Sequence, residues 1–454
     1  MPPNSDETFD GTGLGGTPAR AGFSAGNGAD FFELPQSGNE SAILDLENTT
    51  GNTGVDGLWV FEVRGGAVVG DIAFGSAEFD DVDLYGFVSN FPNPDHLGDR
   101  PSRAGDLWSN RSNEDQFVQD VGENGGPVFG HTSWSTYLHE MGHALGLRQP
   151  NERPNNPNTN GQYTVMSYVP HPEEADDALV DQAYSLTPML WDIQALQDLY
   201  GANTETRTTD TVYFGIGDGL ADEFEYQYAT NTDNDLGMQV LGEDGEYRDV
   251  ILTIWDAGGH DLIDASDLET SSRIDLRPEH YSSIGEIDDN VAVAAAVREG
   301  GEVINFIEDA WGGSANDRLI GNNADNALHG NGGRDRLDGG KGHDLLLGGE
   351  GNDKLFGNGG HDVLDGGAGN DRLTGNRGAD DFVFSEGRDY VFGFRGQDQV
   401  DLSDASGITD FSDLMLNHTT QGSRGVVIED DFGNSMRLTG VDLETLEAGD
   451  FIFL

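Results

Sequence analysis

The hydrophobic and polar positions of this chain fall into three successive textures. Up to about residue 56 the apolar residues are scattered without a period among Gly, Asn, Ser and Asp, which predicts a loop-rich arm. From Leu58 they come in runs. LWVFEV (58–63) and VVGDIAFG (68–75), separated at Gly65-Gly66, and LYGFV (84–88) predict strands, because β-branched and aromatic side chains suit a pleated, half-buried surface. Trp134 to Leu145 has a helical period and stops near Gly146. Pro188 to Tyr200 predicts a second helix, with Pro188 near the first turn and Gly201 just past the end. Beyond Gly201 the helical period fades. VILTIW (250–255) and the closing FVFSEG, DQVDLSD and GDFIFL keep a strand-like texture, so residues 57–200 read as a mixed α and β domain and 201–454 as one β-rich domain.

Inside the β-rich half a nine-residue period runs from Gly312 to Val383. Seven of its eight units carry Asp at the sixth position: Asp317, Asp335, Asp344, Asp353, Asp362, Asp371 and Asp380. GGKGHDLLL (339–347), GGEGNDKLF (348–356) and GGAGNDRLT (366–374) follow the calcium-binding pattern G-G-x-G-x-D-x-U-x, with U a large aliphatic residue. Glycines allow turns that present carbonyl oxygens, Asp adds a charged oxygen, and the following Leu points into a thin core. Two units make one turn of a parallel β-roll, so carboxylates eighteen residues apart, such as Asp335 with Asp353 and Asp344 with Asp362, are expected to stack along each edge. The unit 321–329 has Asn326 in the Asp slot and is expected to bind calcium weakly or not at all. A flexible Gly/Asp linker has no reason to hold acidic and apolar positions in register through eight units.

Composition adds constraints. Twenty-three Lys plus Arg against 83 Asp plus Glu give a formal charge of −60, which repels nucleic acid and anionic membrane surfaces and excludes both as partners. There is no cysteine, so metal rather than disulfide is the expected cross-link. The start, MPPNSDETFDG, lacks the basic and apolar regions of a cleaved signal peptide, and no apolar stretch approaches a membrane span.

The candidate chemistry lies in HEMGHALGLRQP (139–150). On a helix His139 and His143 share one face, the spacing at which two imidazoles grip one Zn²⁺. Glu140 is placed to take a proton from a zinc-activated water and return it to a leaving amine. Gly146 ends the helix and turns the chain back toward the metal.

Together with TVMSYV (164–169) and the repeats, these residues make the chain resemble the serralysins, secreted bacterial zinc proteases of the metzincin type joined to a calcium-binding (RTX) β-roll. GDLWSN (105–110), LWDIQALQDLYGAN (190–203), TRTTDTVY (206–213) and WDAGGHD (255–261) extend the likeness. The resemblance implies an α+β zincin (metzincin-like) catalytic domain followed by an all-β parallel β-roll. It assigns Met166 to the hydrophobic floor under the zinc, and Tyr168 to a ligand that also stabilises the tetrahedral intermediate. It places further calcium at Arg207, Thr209, Thr211, Asp256, Gly258 and Asp261, with a neighbouring ion at Asp261 and Glu308; Thr209 stands where the family has Gly. The closing GDFIFL resembles the uncleaved signal read by ABC-type exporters.

Two positions depart from the family. Its HExxHxxGxxH motif needs a third His where this chain has Gln149, a neutral and weakly basic oxygen donor. His171 is the nearest substitute and reads as a surface-loop histidine. The long N-terminal helix of the family has no counterpart in residues 1–70. The expected protein is a monomeric extracellular zinc metalloendopeptidase with one Zn²⁺ and several Ca²⁺, exported by the type I route. It would act on extended polypeptide that adds to an edge strand such as 84–88. The alternatives are a catalytically impaired pseudoprotease acting as a calcium-binding exoprotein, and a structural calcium protein with a relic zinc helix.

Overall fold

The computed structural model describes residues 59–65, 68–77, 86–89, 106–110, 135, 138–139, 141–143, 145, 147–150, 160–169, 171, 184–204, 208–214, 239–241, 247–285 and 287–453. The chain forms two compact units, residues 1–205 with 242–246, and residues 206–241 with 247–454. The expected arm at 1–56, together with Glu140, Gly146 and Arg207, lies outside the described residues.

In the first unit the strand-forming runs do pair. Trp59–Gly65 and Val68–Ala77 form an antiparallel hairpin in which Gly65 faces Val68. Asp106–Asn110 joins parallel to the second of these strands, and Gly86–Ser89 pairs antiparallel with it at the edge of the four-stranded sheet. Among the described strands Gly86–Ser89 thus stands at the end of the sheet, within the run 84–88 expected at an edge save for Ser89. Residues 138–139 and 141–143 are helical, with a turn at Leu145. The second helix spans Leu190–Tyr200, so Pro188 stands before it rather than inside its first turn. Asp192, at its third position, accepts from the Met189 N–H at 3.0 Å and so ties down one of the donors that every helix start leaves unsatisfied.

The second unit is built on the nine-residue period. One nine-stranded sheet contains Arg273–Asp275, Arg318–Ile320, Arg336–Lys341, Lys354–Gly359, Arg372–Arg377 and Arg388–Phe392 in parallel. It is extended by Ser435–Thr439 and closed by a short antiparallel meander. The other nine-stranded sheet is parallel throughout and holds Leu262–Asp264, Asp309–Trp311, Ala327–His329, Leu345–Leu347, Val363–Asp365, Asp381–Val383 and Gln399–Asp401. Phe451–Ile452, in the closing GDFIFL, is the last strand of this sheet.

The aliphatic slot of each unit fills the space between the sheets. Leu319, Leu337, Leu355, Leu373 and Val391 pair in register on one side, and Leu328, Leu346, Leu364, Phe382 and Val400 on the other, all fully buried. At roughly 1.5–3 kcal/mol per buried side chain these two stacks supply the apolar stabilisation of the roll. The second position of the last six units bends the chain. Asn331, Asn358 and Asn376 have φ of 64°, 72° and 71°, and Gly340 and Gly349 occupy the same slot at 105° and 101°. Only Gly and Asn enter the left-handed region at low cost, which accounts for their alternation there.

Candidate metal centres

The helical spacing puts the rings of His139 and His143 edge to face, with centroids 4.8 Å apart. Each ring is anchored through Nδ1. His139 donates to the Val165 carbonyl at 2.8 Å and His143 to the Leu147 carbonyl at 3.0 Å. A proton fixed on Nδ1 leaves Nε2 as the lone-pair donor, the arrangement a histidine metal ligand needs. The Nε2 of His139 is buried and has no hydrogen-bond partner among the described residues. Burial, with a contribution from His143, pushes His139 down to about 4, and burial lowers His143 too, so both imidazoles are neutral near pH 7. A buried, neutral imidazole nitrogen with no hydrogen-bond partner among the described residues fits a cation.

Other predicted residues gather around this pair. Met166 is buried against Gly142, where an added Cβ would strike its Sδ; a glycine between the histidines is what lets the methionine approach. Tyr168 is exposed, stacks on His139 with centroids 5.0 Å apart, and its hydroxyl accepts from Gln149 Nε2 at 2.5 Å. With its nitrogen turned to Tyr168, Gln149 has its Oε1 as the atom available to a metal. Two imidazoles therefore fit zinc, with an amide oxygen in place of the third. His171 is only 2% exposed, which corrects its reading as a surface-loop residue: its side chain is buried rather than turned into water.

Sequence reasoning missed Asp192. Its carboxylate is buried and accepts from Thr164 Oγ1 at 2.6 Å and Val165 N at 2.7 Å, besides the Met189 N–H. Burial raises it to about 6, against the three hydrogen bonds that favour its charge. Trp191 N donates to Tyr163 O at 3.0 Å, and Tyr200 Oη donates to Leu145 O at 2.8 Å, where the first helix ends. The one available signal was a lone carboxylate between apolar residues in LWDI.

The second unit carries two ladders of carboxylates. Along one edge each backbone N–H donates to the Oδ1 of the residue eighteen further on: Asp317 to Asp335, Asp335 to Asp353, Asp353 to Asp371 and Asp371 to Asp389, at 2.7 to 3.0 Å. Along the other the series is Asn326 to Asp344, Asp344 to Asp362, Asp362 to Asp380 and Asp380 to Asp398, at 2.9 to 3.2 Å. The Oδ2 atoms of Asp335, Asp344, Asp353, Asp362, Asp371 and Asp380 are buried without a hydrogen-bond partner among the described residues. Burial raises these carboxyls, Asp335 to about 8 and Asp344 to about 7, and the neighbouring Asp353 and Asp362 add to it. Rows of mutually repelling, half-satisfied carboxylates fit Ca²⁺.

The ends of the ladders differ. Asp317 has Oδ1 taken by Ser272 N at 2.6 Å and Oδ2 by Gly313 N at 2.7 Å. Asn326 turns its amide to the Glu308 carbonyl at 2.7 Å, a donor where the other units present an acceptor. Asp389 and Asp398, outside the repeats as read from sequence, are further rungs, with Oδ2 accepting from Ser385 Oγ and Arg395 N. They stand eighteen residues beyond Asp371 and Asp380, a spacing that the loss of the glycine frame conceals.

The second ladder resumes before the repeats. Asp261 N donates to Glu308 Oε2 and Thr211 N to Asp261 Oδ1, both at 2.9 Å. Asp256 accepts from Tyr213 Oη at 2.7 Å and from Gly258 N at 3.2 Å. The Thr209 carbonyl lies where a Cβ on Gly259 would collide with it. Asp261 Oδ2 is buried without a hydrogen-bond partner, and burial with Asp256 and Glu308 nearby drives this carboxyl upward. Asp256, Gly258, Asp261, Thr209, Thr211 and Glu308 are thus brought together by backbone and carboxylate contacts.

Comparison with known proteins decides the family. The description Peptidase M10 serralysin C terminal matches residues 202–452, more than half of the 454 residues. The chain belongs to the serralysin family. A nidogen-like domain also matches residues 5–65. Among curated relatives, serralysin of Proteus mirabilis is 37% identical over 214 residues, 44% of this chain and 38% of the relative. Serralysin of Photorhabdus sp. (strain Az29) is 35% identical over 238 residues, 50% of this chain and 42% of the relative. Metalloprotease AprA of Pseudomonas entomophila is 33% identical over 216 residues, 44% of this chain and 39% of the relative. The match thus spans about two fifths of the length of these serralysin relatives. Among the described residues no helix is long and apolar enough to cross a membrane.

Proposed function

We propose that the chain is an extracellular zinc metalloendopeptidase whose roll is stabilised by calcium. The observation that carries this reading is the histidine pair, two neutral imidazoles fixed through Nδ1, one with a buried Nε2 that has no hydrogen-bond partner among the described residues. His139 and His143 would hold the ion, with Gln149 Oε1 and Tyr168 completing the set. Zn²⁺ held there would supply Lewis acidity toward the scissile carbonyl and the attacking water. Glu140 would take the proton from the attacking water and pass it to the leaving amine. The exposed Tyr168 hydroxyl, which accepts from Gln149, would have to leave that bond to donate to the developing oxyanion. Extended polypeptide adds to the edge strand Gly86–Ser89. Calcium would be held by the inner rungs of the acidic ladders and by Asp256, Asp261 and Glu308, and would supply the positive charge that offsets repulsion between these carboxylates. Export of the unfolded chain through an ABC-type exporter, read from GDFIFL, agrees with a roll that closes only where calcium is plentiful.

The Gln149 to Tyr168 hydrogen bond favours a second reading, a pseudoprotease that keeps the fold and binds peptide without turnover, because it engages two of the prospective ligands with each other. Zinc content of the calcium-loaded protein, together with casein hydrolysis abolished by a zinc chelator, supports the peptidase. Peptide binding with neither zinc nor hydrolysis supports the pseudoprotease.

A further inference from the structure

Asp192 is a buried carboxylate with no Lys or Arg paired to it among the described residues, on a helix that carries none of the predicted ligands. A buried charge is costly unless its hydrogen bonds are made, and here all its partners are donors. One of them leads onward. Thr164 donates its hydroxyl proton to Asp192 Oδ1 at 2.6 Å, so the same oxygen has its lone pairs turned elsewhere, and it accepts the N–H of Met166 at 3.0 Å. That N–H belongs to the Val165–Met166 peptide, whose carbonyl accepts the Nδ1–H of His139 at 2.8 Å. The line is unbroken from carboxylate to hydroxyl to peptide to imidazole, and every donor in it points away from His139 toward Asp192.

We propose that Asp192 is a positioning residue for the histidine centre, acting through Thr164 and the Val165–Met166 peptide to hold His139 in its Nδ1–H tautomer and to strengthen Nε2 as a metal donor. The inference rests on the metallopeptidase reading for its purpose. Its physical content does not. Hydrogen bonds in series polarise one another: the carboxylate makes the Thr164 oxygen a better acceptor, and donation by Met166 N–H draws charge onto the Val165 oxygen. A stronger acceptor at Nδ1–H makes the opposite ring nitrogen more basic, and groups that orient a metal-binding histidine in this way change metal affinity by about 10–100-fold. Asparagine at position 192 would place a donor against one of three donors. The role therefore asks for a carboxylate and not merely for a cap.

The test uses the full chain with ¹⁵N-labelled histidine, observed by NMR without metal near neutral pH, and Zn²⁺ affinity measured by chelator competition. In the wild type His139 is expected as a single Nδ1–H tautomer with a strongly deshielded proton; an Nε2–H tautomer or an even mixture overturns the proposal without any variant. Thr164→Val, which removes the hydroxyl and keeps the shape, is expected to shield that proton and weaken zinc by about tenfold. Asp192→Asn should act in the same direction, and Thr164→Ser should restore wild-type values. Tyr200→Phe, which loses a bond to the end of the same helix but stands outside the line, serves as the structural control. If Thr164→Val and Asp192→Asn leave the His139 proton and the zinc affinity unchanged within about twofold, or if Tyr200→Phe changes them equally, the relay is not what sets the ligand. A wild type that binds no zinc sinks the peptidase reading, while the NMR result still decides the relay.

Discussion

At the scale of single residues, function turns on position 149. On the proposed reading, an amide oxygen where the family motif has an imidazole would weaken zinc binding without abolishing it, because His139 and His143 are anchored independently through Nδ1. Gln149→His is expected to raise zinc affinity by at least about tenfold, roughly 1.4 kcal/mol, by restoring a third nitrogen donor. If zinc and casein hydrolysis both rise, the substitution at 149 was the limiting defect; if zinc rises alone, the cleft is at fault. No change in either would show that position 149 does not face the metal, and the buried His171 becomes the residue to test. Glu140→Ala separates chemistry from binding. It is expected to cost about 10²–10⁴-fold in hydrolysis and leave zinc content intact, since a general base is not a ligand. Turnover retained in this variant would remove Glu140 from the mechanism.

At the scale of elements, the acidic ladders couple the roll to protons and, on the proposed reading, to calcium. An unfolded aspartate titrates near ~3.9. In the folded metal-free roll burial holds Asp362 at about 6, Asp344 at about 7 and Asp335 at about 8. Between about pH 4 and 8 the folded roll therefore binds more protons than the unfolded chain. Its metal-free stability is greatest below about pH 4 and is lost as the pH rises through these values. Calcium must displace the same protons, so adding Ca²⁺ near pH 6 to a weakly buffered, metal-free sample should acidify it. A calcium titration followed by pH-stat that folds the roll with no proton release would contradict the raised carboxyls. The ends of the ladders should hold calcium less well, because protein donors already occupy the oxygens or the slot, but burial raises Asp317 to about 6 and Asp389 to about 8, so they share in the proton uptake.

At the scale of the whole molecule, a formal charge of −60 opposes compaction, and the roll adds local repulsion by bringing carboxylates into rows. Circular dichroism of the chain should show little β-structure in excess chelator near pH 8 and a folded roll at millimolar Ca²⁺. A roll fully formed without calcium at that pH would mean that the two apolar stacks suffice. The sequence by itself determined the roll, its eighteen-residue pitch, the stacked leucines and the edge carboxylates, because a short period repeats the same local turn and each turn pairs with its own copy. It also placed two histidines on one face, since four residues on a helix are enough to do so. Tertiary structure decided the rest. Asp192 reaches Thr164 across 28 residues, a pair nothing in the sequence implied, whereas the meetings of Thr211 with Asp261 across 50 and of Asp261 with Glu308 across 47 were implied by the family resemblance and by no local pattern. No local pattern encodes such pairs, and a buried carboxylate takes its role from whichever donors the fold brings to it.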